Sequence, residues 1–303
     1  MNAPFRVPHP ERLLHHEPMA RYTAARLGGP AEWLYVAKES TEELIAVTDS
    51  AWASSLPVRI LGGGANILVS DNGVRGIVLI NDVAQIEFGH WHGGINVSAT
   101  GGTSLTILAR KCAAQGLSGM EWAVSVPGTV GGAVVNNAGA HGGDMAQTVR
   151  GVALLDDWRG PQYLTPDELA YDYRTSALKT RRDRRFLVLM ATFALTPDDP
   201  AAIQRRMDEF IAHRKRTQPP GASLGSIFKN PPGDYAGRLI EAAGLKGLKI
   251  GGAQVSPVHG NFFINTGGCT ASDYYALVRQ VQETVYTQTS IRLEMEVELV
   301  GEW

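Results

Sequence analysis

Only two cysteines, Cys112 and Cys269, occur in the 303 residues, far apart and outside any CxxC spacing. That excludes a disulfide framework and a thiolate zinc site. Cys112, among Leu108, Ala109 and Ala113 in a helical pattern, reads as a buried thiol. No apolar run is long enough to cross a bilayer: the longest, residues 186–195, falls well short of the roughly 20 required. The first residues are rich in proline and histidine and lack the basic-then-apolar order of a signal peptide, so the expected compartment is the cytoplasm. An excess of one charge is missing too. A formal net charge of −2 argues against a chain whose main task is coating nucleic acid. Two basic runs, residues 179–185 and 213–216, read first as solvated faces. His90 and His92 flank Trp91 without a third ligand nearby, so they read as surface residues and no metal site is expected. No G-x-x-x-x-G-K-[ST] occurs, which excludes a P-loop.

Glycine is plentiful. There are 34, above the usual share of about 7%, and the excess collects in a few loops. The densest is VPGTVGGAVVNNAGAHGG, residues 126–143, with Gly128, Gly131, Gly132, Gly139, Gly142 and Gly143. It reads as neither a helix nor an ordinary strand. Glycine inside an element costs about 0.5–1 kcal/mol relative to alanine, so this density implies positive-φ turns or a close approach to a ligand. Small and amide residues between the glycines add hydrogen-bonding groups with little bulk. The stretch reads as a backbone cradle for a phosphate-bearing cofactor, with a tight set of turns between strands as the alternative.

A second glycine loop, Gly62-Gly63-Gly64-Ala65-Asn66, follows the expected strand PVRIL. It is not a Rossmann loop: Ile67 stands where the G-x-G-x-x-G pattern needs glycine or alanine, and ILVS followed by Asp71-Asn72-Gly73 reads as strand and turn rather than helix. Backbone N–H groups there remain able to contact phosphate.

Residues 1–20 read as a loosely held arm, and 32–36 as a strand. Ser40 with Glu43 reads as a capping box opening a helix. Strands are expected at 76–80, 95–99, 152–155 and 186–195, and helices at 104–115 and 201–216. Thr165-Pro166-Asp167-Glu168 reads as a helix start. Residues 221–233 look too irregular for regular structure. Beyond them come helices from 234 to 244 and from 272 to 288, with a strand at 261–265 between. The final stretch, 291–300, alternates: Ile291, Leu293, Met295, Val297 and Leu299 face one way, Arg292, Glu294, Glu296 and Glu298 the other. Length and breaks predict a boundary near 200, with a domain at 1–200 and a smaller one at 201–303.

GGGANILVSDNG, VPGTVGGAVVNNAGAHGG, YRTS, GSIFKNP, GAQVS–H–NFFIN and LEMEVELVG occur in the order seen in the UDP-N-acetylenolpyruvoylglucosamine reductase (MurB) family of bacterial peptidoglycan synthesis. The chain resembles that family from about residue 22 to 301. The resemblance implies an α+β chain: a bipartite FAD-binding domain of the vanillyl-alcohol oxidase and para-cresol methylhydroxylase type, then a smaller α+β substrate domain. It implies FAD, reduced by NADPH, and a small sugar-nucleotide substrate carrying an enolpyruvyl ether; it implies no nucleic acid, no membrane insertion and no obligate protein partner. Gly62, Gly63, Gly64, Ala65 and Asn66 match one flavin-contacting loop. Pro127, Gly128, Thr129, Gly131, Gly132, Asn137, Ala138, Gly139, His141 and Gly142 match the other.

Reducing an enol ether conjugated to a carboxylate needs hydride at the far vinylic carbon, which leaves the carbon beside the carboxylate enolate-like. By the resemblance, Arg174 stabilises that charge, Ser226 protonates the carbon, and Glu296 works with Arg174. Tyr173, Arg214, Lys229, Asn230, Gln254, His259 and Asn261 match substrate contacts. Val258 stands where many relatives carry lysine, Ser125 where glycine is common, and Ala177-Leu178 where a residue and Phe are usual. The short spacing from Phe193 to Ser226 leaves little room for the tyrosine-bearing insertion of long-form relatives. A flavin oxidase of the same superfamily is disfavoured because residues 59–70 contain no histidine for a covalent flavin link. A non-catalytic sugar-nucleotide-binding protein is disfavoured by Arg174, Ser226 and Glu296 occurring together.

Overall fold

The computed structural model describes residues 5–91 and 94–303; His92 lies outside them, as does the side chain of His90, so the histidine pair is not placed. The chain forms two compact units. One takes the chain up to His15, Trp33–Gly63 and Gly76–His213, and the other takes His16–Glu32, Gly64–Arg75 and Arg214–Trp303. Two N-terminal stretches thus fold with the last ninety residues of the sequence.

Two sheets build the first unit. The smaller has the order Leu13–Pro18, Pro30–Ala37, Val74–Asn81, Val58–Leu61, with the last two parallel. The helix Thr41–Ala53 lays Leu44, Val47, Ala51 and Trp52 against Tyr35, Ile77 and Leu79. Ser40 caps it by accepting from the Glu43 amide, but the Glu43 carboxylate turns to the Tyr35 hydroxyl and the amides of Lys38 and Glu39, so the capping box is half made. The expected loose arm instead contributes the edge strand Leu13–Pro18. Its sequence, LLHHEP, lacks the alternation that would have revealed it.

The larger sheet is antiparallel, in the order Gly160–Leu164, Val149–Asp156, Phe186–Ala194, Gly94–Thr100, Ile86–Trp91. The helices Leu105–Ala114, Val130–Asn136 and Pro200–Thr217 contribute Leu108, Cys112, Val134, Ile203 and Met207 to its core, with Phe193 from the sheet. Cys112 is fully buried, and burial pushes its thiol up to about 12. The run 126–143 is not helix-free. Val130–Asn136 is helical because Val130, Ala133 and Val134 are almost wholly buried, which outweighs the poor helix propensity of Gly131 and Gly132.

The second unit is built on an antiparallel sheet in the order Ala222–Ser226, Phe262–Asn265, Ala253–Val255, Lys249–Ile250. The strand Ala222–Ser226 corrects the expectation of irregular structure there. The helix Ala271–Thr289 buries Tyr274, Leu277, Val278 and Val281 together with Phe263, and Ala25, Leu27 and Leu68 complete the core. The expected strand 291–300 is short: Glu298–Val300 pairs in parallel with Ile67–Val69, while only Met295 bridges to Phe228 before it. The backbone changes partners at Val297, so the alternation in sequence outruns the ladder.

Asp71 caps the helix Ala271–Thr289 from two hundred residues away, accepting from the amides of Ala271 and Ser272 at 2.8 Å each and from the Ser272 hydroxyl at 2.6 Å. Burial would raise its carboxyl, but the Ser272 hydroxyl and the two amides prevail and hold it below the ordinary value of 3.8. Asp71→Ala is expected to cost about 1 kcal/mol at neutral pH. Because the folded value is depressed, the carboxylate's contribution is complete above pH 3.8 and is lost as pH falls through the lowered value. Denaturation of both proteins between pH 7 and 3 checks this; a difference that does not shrink in acid would contradict it.

Candidate active site

Within the first unit the two glycine loops touch. A Cβ on Gly62 would lie 2.2 Å from the Thr129 Oγ1, and one on Gly63 would lie 3.4 Å from the Gly128 Cα. Glycine at 62 is therefore a steric necessity. A third pair, Gly101-Gly102, escaped the sequence reading: the Gly131 amide donates to the Gly101 carbonyl at 2.8 Å, and a Cβ on Gly101 would sit 2.3 Å from the Val188 carbonyl oxygen. Its signal was Thr-Gly-Gly-Thr directly after an alternating strand. Gly128 lies at φ 110°, and its carbonyl accepts from Leu105. Beyond the short helix, Gly139–Ala140 pairs with Gly143–Asp144, and His141 and Gly142, both at positive φ, form the turn. His141 stacks on Phe210 at 4.3 Å between centroids.

The Ser125 and Thr129 hydroxyl oxygens are buried with no hydrogen-bond partner among the described residues. Leaving such a group unsatisfied costs about 1–3 kcal/mol. Two hydroxyls in that condition beside loops stripped of side chains fit a site completed by a bound ligand, and the donor set suits a flavin dinucleotide. Gly62, Gly63, Gly128, Thr129 and Ser125 are the residues that would hold it. The resemblance marked Ser125 only as a departure.

Arg174 stands beside this cradle. Its guanidinium donates to the Gly139 carbonyl at 2.6 Å and the Asn137 carbonyl at 3.3 Å, and a Cβ on Gly139 would lie 3.1 Å from its Nη1. Arg174 has φ 55°, a left-handed conformation that costs a non-glycine residue about 1–2 kcal/mol. The Tyr173 ring, nearly half exposed, lies 5.2 Å from the guanidinium carbon.

The second unit gathers Ser226, Glu296, Asn66, Lys229 and Asn261. Ser226 ends its strand opposite Phe262. The Glu296 amide donates to the Ile227 carbonyl at 2.8 Å and the Lys229 amide to the Glu294 carbonyl at 2.9 Å, so 227–229 and 294–296 run side by side. The Asn66 side chain donates to the Glu296 carbonyl at 3.1 Å, and the Glu298 amide donates to the Asn66 carbonyl at 3.0 Å. Gly64 has φ 59°, and a Cβ there would overlap the Tyr22 carbonyl oxygen at 1.9 Å. Asn66 therefore holds the backbone of 296–298, while the Gly64 carbonyl accepts from the Ala24 amide. Asn261, 3% exposed, accepts from the Phe228 amide and donates to the Phe228 carbonyl, fixing the segment after Ser226.

The other expected contacts scatter over this unit. Lys229 pairs with Glu294 at 2.6 Å, and the Asn230 side chain accepts from the Ala236 amide at 3.1 Å. Gln254 donates weakly to the Gly247 carbonyl at 3.3 Å. The His259 Nδ1 accepts from the Asn261 amide at 3.1 Å, which leaves any ring proton on Nε2. Burial, helped by Lys246, holds that imidazole below its ordinary value. Arg214 donates to Gln218 at 2.8 Å, and burial lowers its guanidinium. Val258 is half exposed. Among the described residues no three His, Cys, Asp or Glu side chains gather as a metal site, and no helix is long and apolar enough to cross a membrane.

The fold and the first cradle define a flavoprotein: a family model described as "FAD binding domain" matches residues 34–161. A second model, "UDP-N-acetylenolpyruvoylglucosamine reductase, C-terminal domain", matches residues 217–300. UDP-N-acetylenolpyruvoylglucosamine reductase 2 of Symbiobacterium thermophilum is 44% identical over 297 residues, covering 96% of this chain and 93% of that one. The reductase of Rubrobacter xylanophilus is 43% identical, covering 94% of each. The crystal structure of the Thermus caldophilus reductase (MurB) superposes with a TM-score of 0.79 at 36% identity, over 98% of this chain and 99% of that one. The chain belongs to the UDP-N-acetylenolpyruvoylglucosamine reductase family and is an oxidoreductase. Its fold is the α+β one expected, a bipartite FAD-binding domain joined to the smaller C-terminal domain of that family.

Proposed function

We propose that the chain reduces the enolpyruvyl ether of UDP-N-acetylglucosamine to UDP-N-acetylmuramate in the cytoplasm, with FAD as bound cofactor and NADPH as electron donor. The observation that carries this reading is the placement of Ser226. Its hydroxyl stands on a segment locked against the Glu296 backbone and has no hydrogen bond of its own among the described residues. Half-buried Ser226, at the start of the segment that runs alongside 294–296, offers a hydroxyl suited to protonating a strongly basic carbon. FAD supplies the two-electron reduction when bound. Arg174 offers a fixed cation for developing negative charge, and Glu296, on the stretch that runs beside the segment after Ser226, is assigned a part in handling the proton. Lys229, already at the same segment, and Arg214 suit the anionic groups of a sugar nucleotide.

The purified protein is expected to be yellow, and NADPH oxidation to depend on the enolpyruvyl sugar nucleotide. Anaerobic reduction followed by addition of that compound checks both halves separately. Rapid oxygen consumption with no need for NADPH would favour an oxidase instead.

A further inference from the structure

We infer that Asn137 is the positioning residue for Arg174 rather than a ligand of the cofactor. This rests on the catalytic reading of Arg174. Asn137 closes the helix Val130–Asn136 in the left-handed region, at φ 44°, and is 3% exposed. Both ends of its side chain are engaged inside the chain. The amide nitrogen donates to the Asp172 carbonyl at 3.0 Å, and the amide oxygen accepts from Ala146 at 3.1 Å. Its main-chain carbonyl accepts from the Arg174 guanidinium.

The residue therefore grips Arg174 from two sides. Asp172 and Thr175 exchange amide-to-carbonyl bonds at 3.2 and 3.1 Å, closing a tight turn with Tyr173 and Arg174 at its tip. Asn137 holds the first residue of that turn through its side chain and the guanidinium through its backbone. Ser176 adds a second tie, donating to the Val135 carbonyl at 2.6 Å. A left-handed arginine needs such over-determination, because the strained backbone relaxes when its surroundings let go. The turn that carries the cation and the helix that opens onto the glycine cradle thus move as one body. A misplacement of about 1 Å is enough to cost a reaction about a hundredfold.

Asn137→Asp removes the donor to Asp172 while keeping an oxygen for Ala146 and tolerance of positive φ. The expected result is reoxidation of the reduced protein by the enolpyruvyl sugar nucleotide slowed about tenfold to a hundredfold. Flavin reduction by NADPH and FAD affinity, read by flavin fluorescence, should stay within about threefold of the parent. The deciding comparison is a double-mutant cycle with Arg174→Ala. In that background Asn137→Asp should slow reoxidation by less than about twofold, because the group it positions has gone. Losses that multiply would overturn the inference, as would release of FAD from Asn137→Asp alone. No slowing in Arg174→Ala by itself would overturn the catalytic reading and the inference together. Ser176→Ala, which cuts the other tie, carries the same cycle should Asn137→Asp fold poorly.

Discussion

Ser226→Ala should leave flavin reduction by NADPH within about twofold while slowing product formation by about two to four orders of magnitude, the range that positioned acid–base groups contribute. The half-reactions separate because the serine hydroxyl makes no bond that supports the fold among the described residues. The backbone on either side is secured by other groups: Ser226 pairs with Phe262, the Ile227 amide donates to the Asn261 carbonyl, and Asn261 grips Phe228. Removing one oxygen from such a site is expected to shift stability by no more than about 0.5 kcal/mol. Stopped-flow traces of the two half-reactions, with thermal melts of both proteins, make the comparison. Equal losses in both halves would mean that Ser226 is structural.

Arg174→Lys should slow the reoxidation half-reaction about a hundredfold or more. Lysine keeps the charge and has the same tolerance of φ 55°, so backbone strain is matched between the two proteins. What disappears is the planar fork that reaches the Gly139 and Asn137 carbonyls together. A single ammonium satisfies one carbonyl and leaves the charge displaced, and losing one well-aimed stabilising group typically costs a factor of about 10²–10³. Flavin reduction by NADPH is the internal control. A lysine variant as fast as the parent would show that only net charge matters at this position.

The residues proposed to carry the chemistry could be picked out because each sits in a motif of fixed order, and motif order survives ignorance of the fold. The backbone around them was less legible. The helix at 130–136 was hidden by its glycines, since propensity read locally says turn while the burial of Val130, Ala133 and Val134 says helix. The alternation of 291–300 was real, yet pairing along a strand depends on neighbours distant in sequence, and here they change at Val297. The amides carry structural bonds as well. The resemblance matches Asn66, Asn137 and Asn261 to ligand contacts, and in the fold their side chains also tie Glu296, Asp172 and Phe228, which motif order alone does not reveal. Nothing in 16–32 or 64–75 announces which unit they join, because both are short and their hydrophobic residues find partners only in three dimensions.

That parallel pairing of Ile67–Val69 with Glu298–Val300 bears on how the protein is made. A ribosome delivers the first strand of the pair more than two hundred residues before the second. Leu68 and the early residues Ala25 and Leu27 must therefore wait, exposed, for a core that arrives last. An isolated piece beginning at 214 would lack those three side chains and the edge strand, leaving open backbone groups and a hole in its interior. Synthesis of the whole polypeptide, rather than of either half, is the natural unit of folding here.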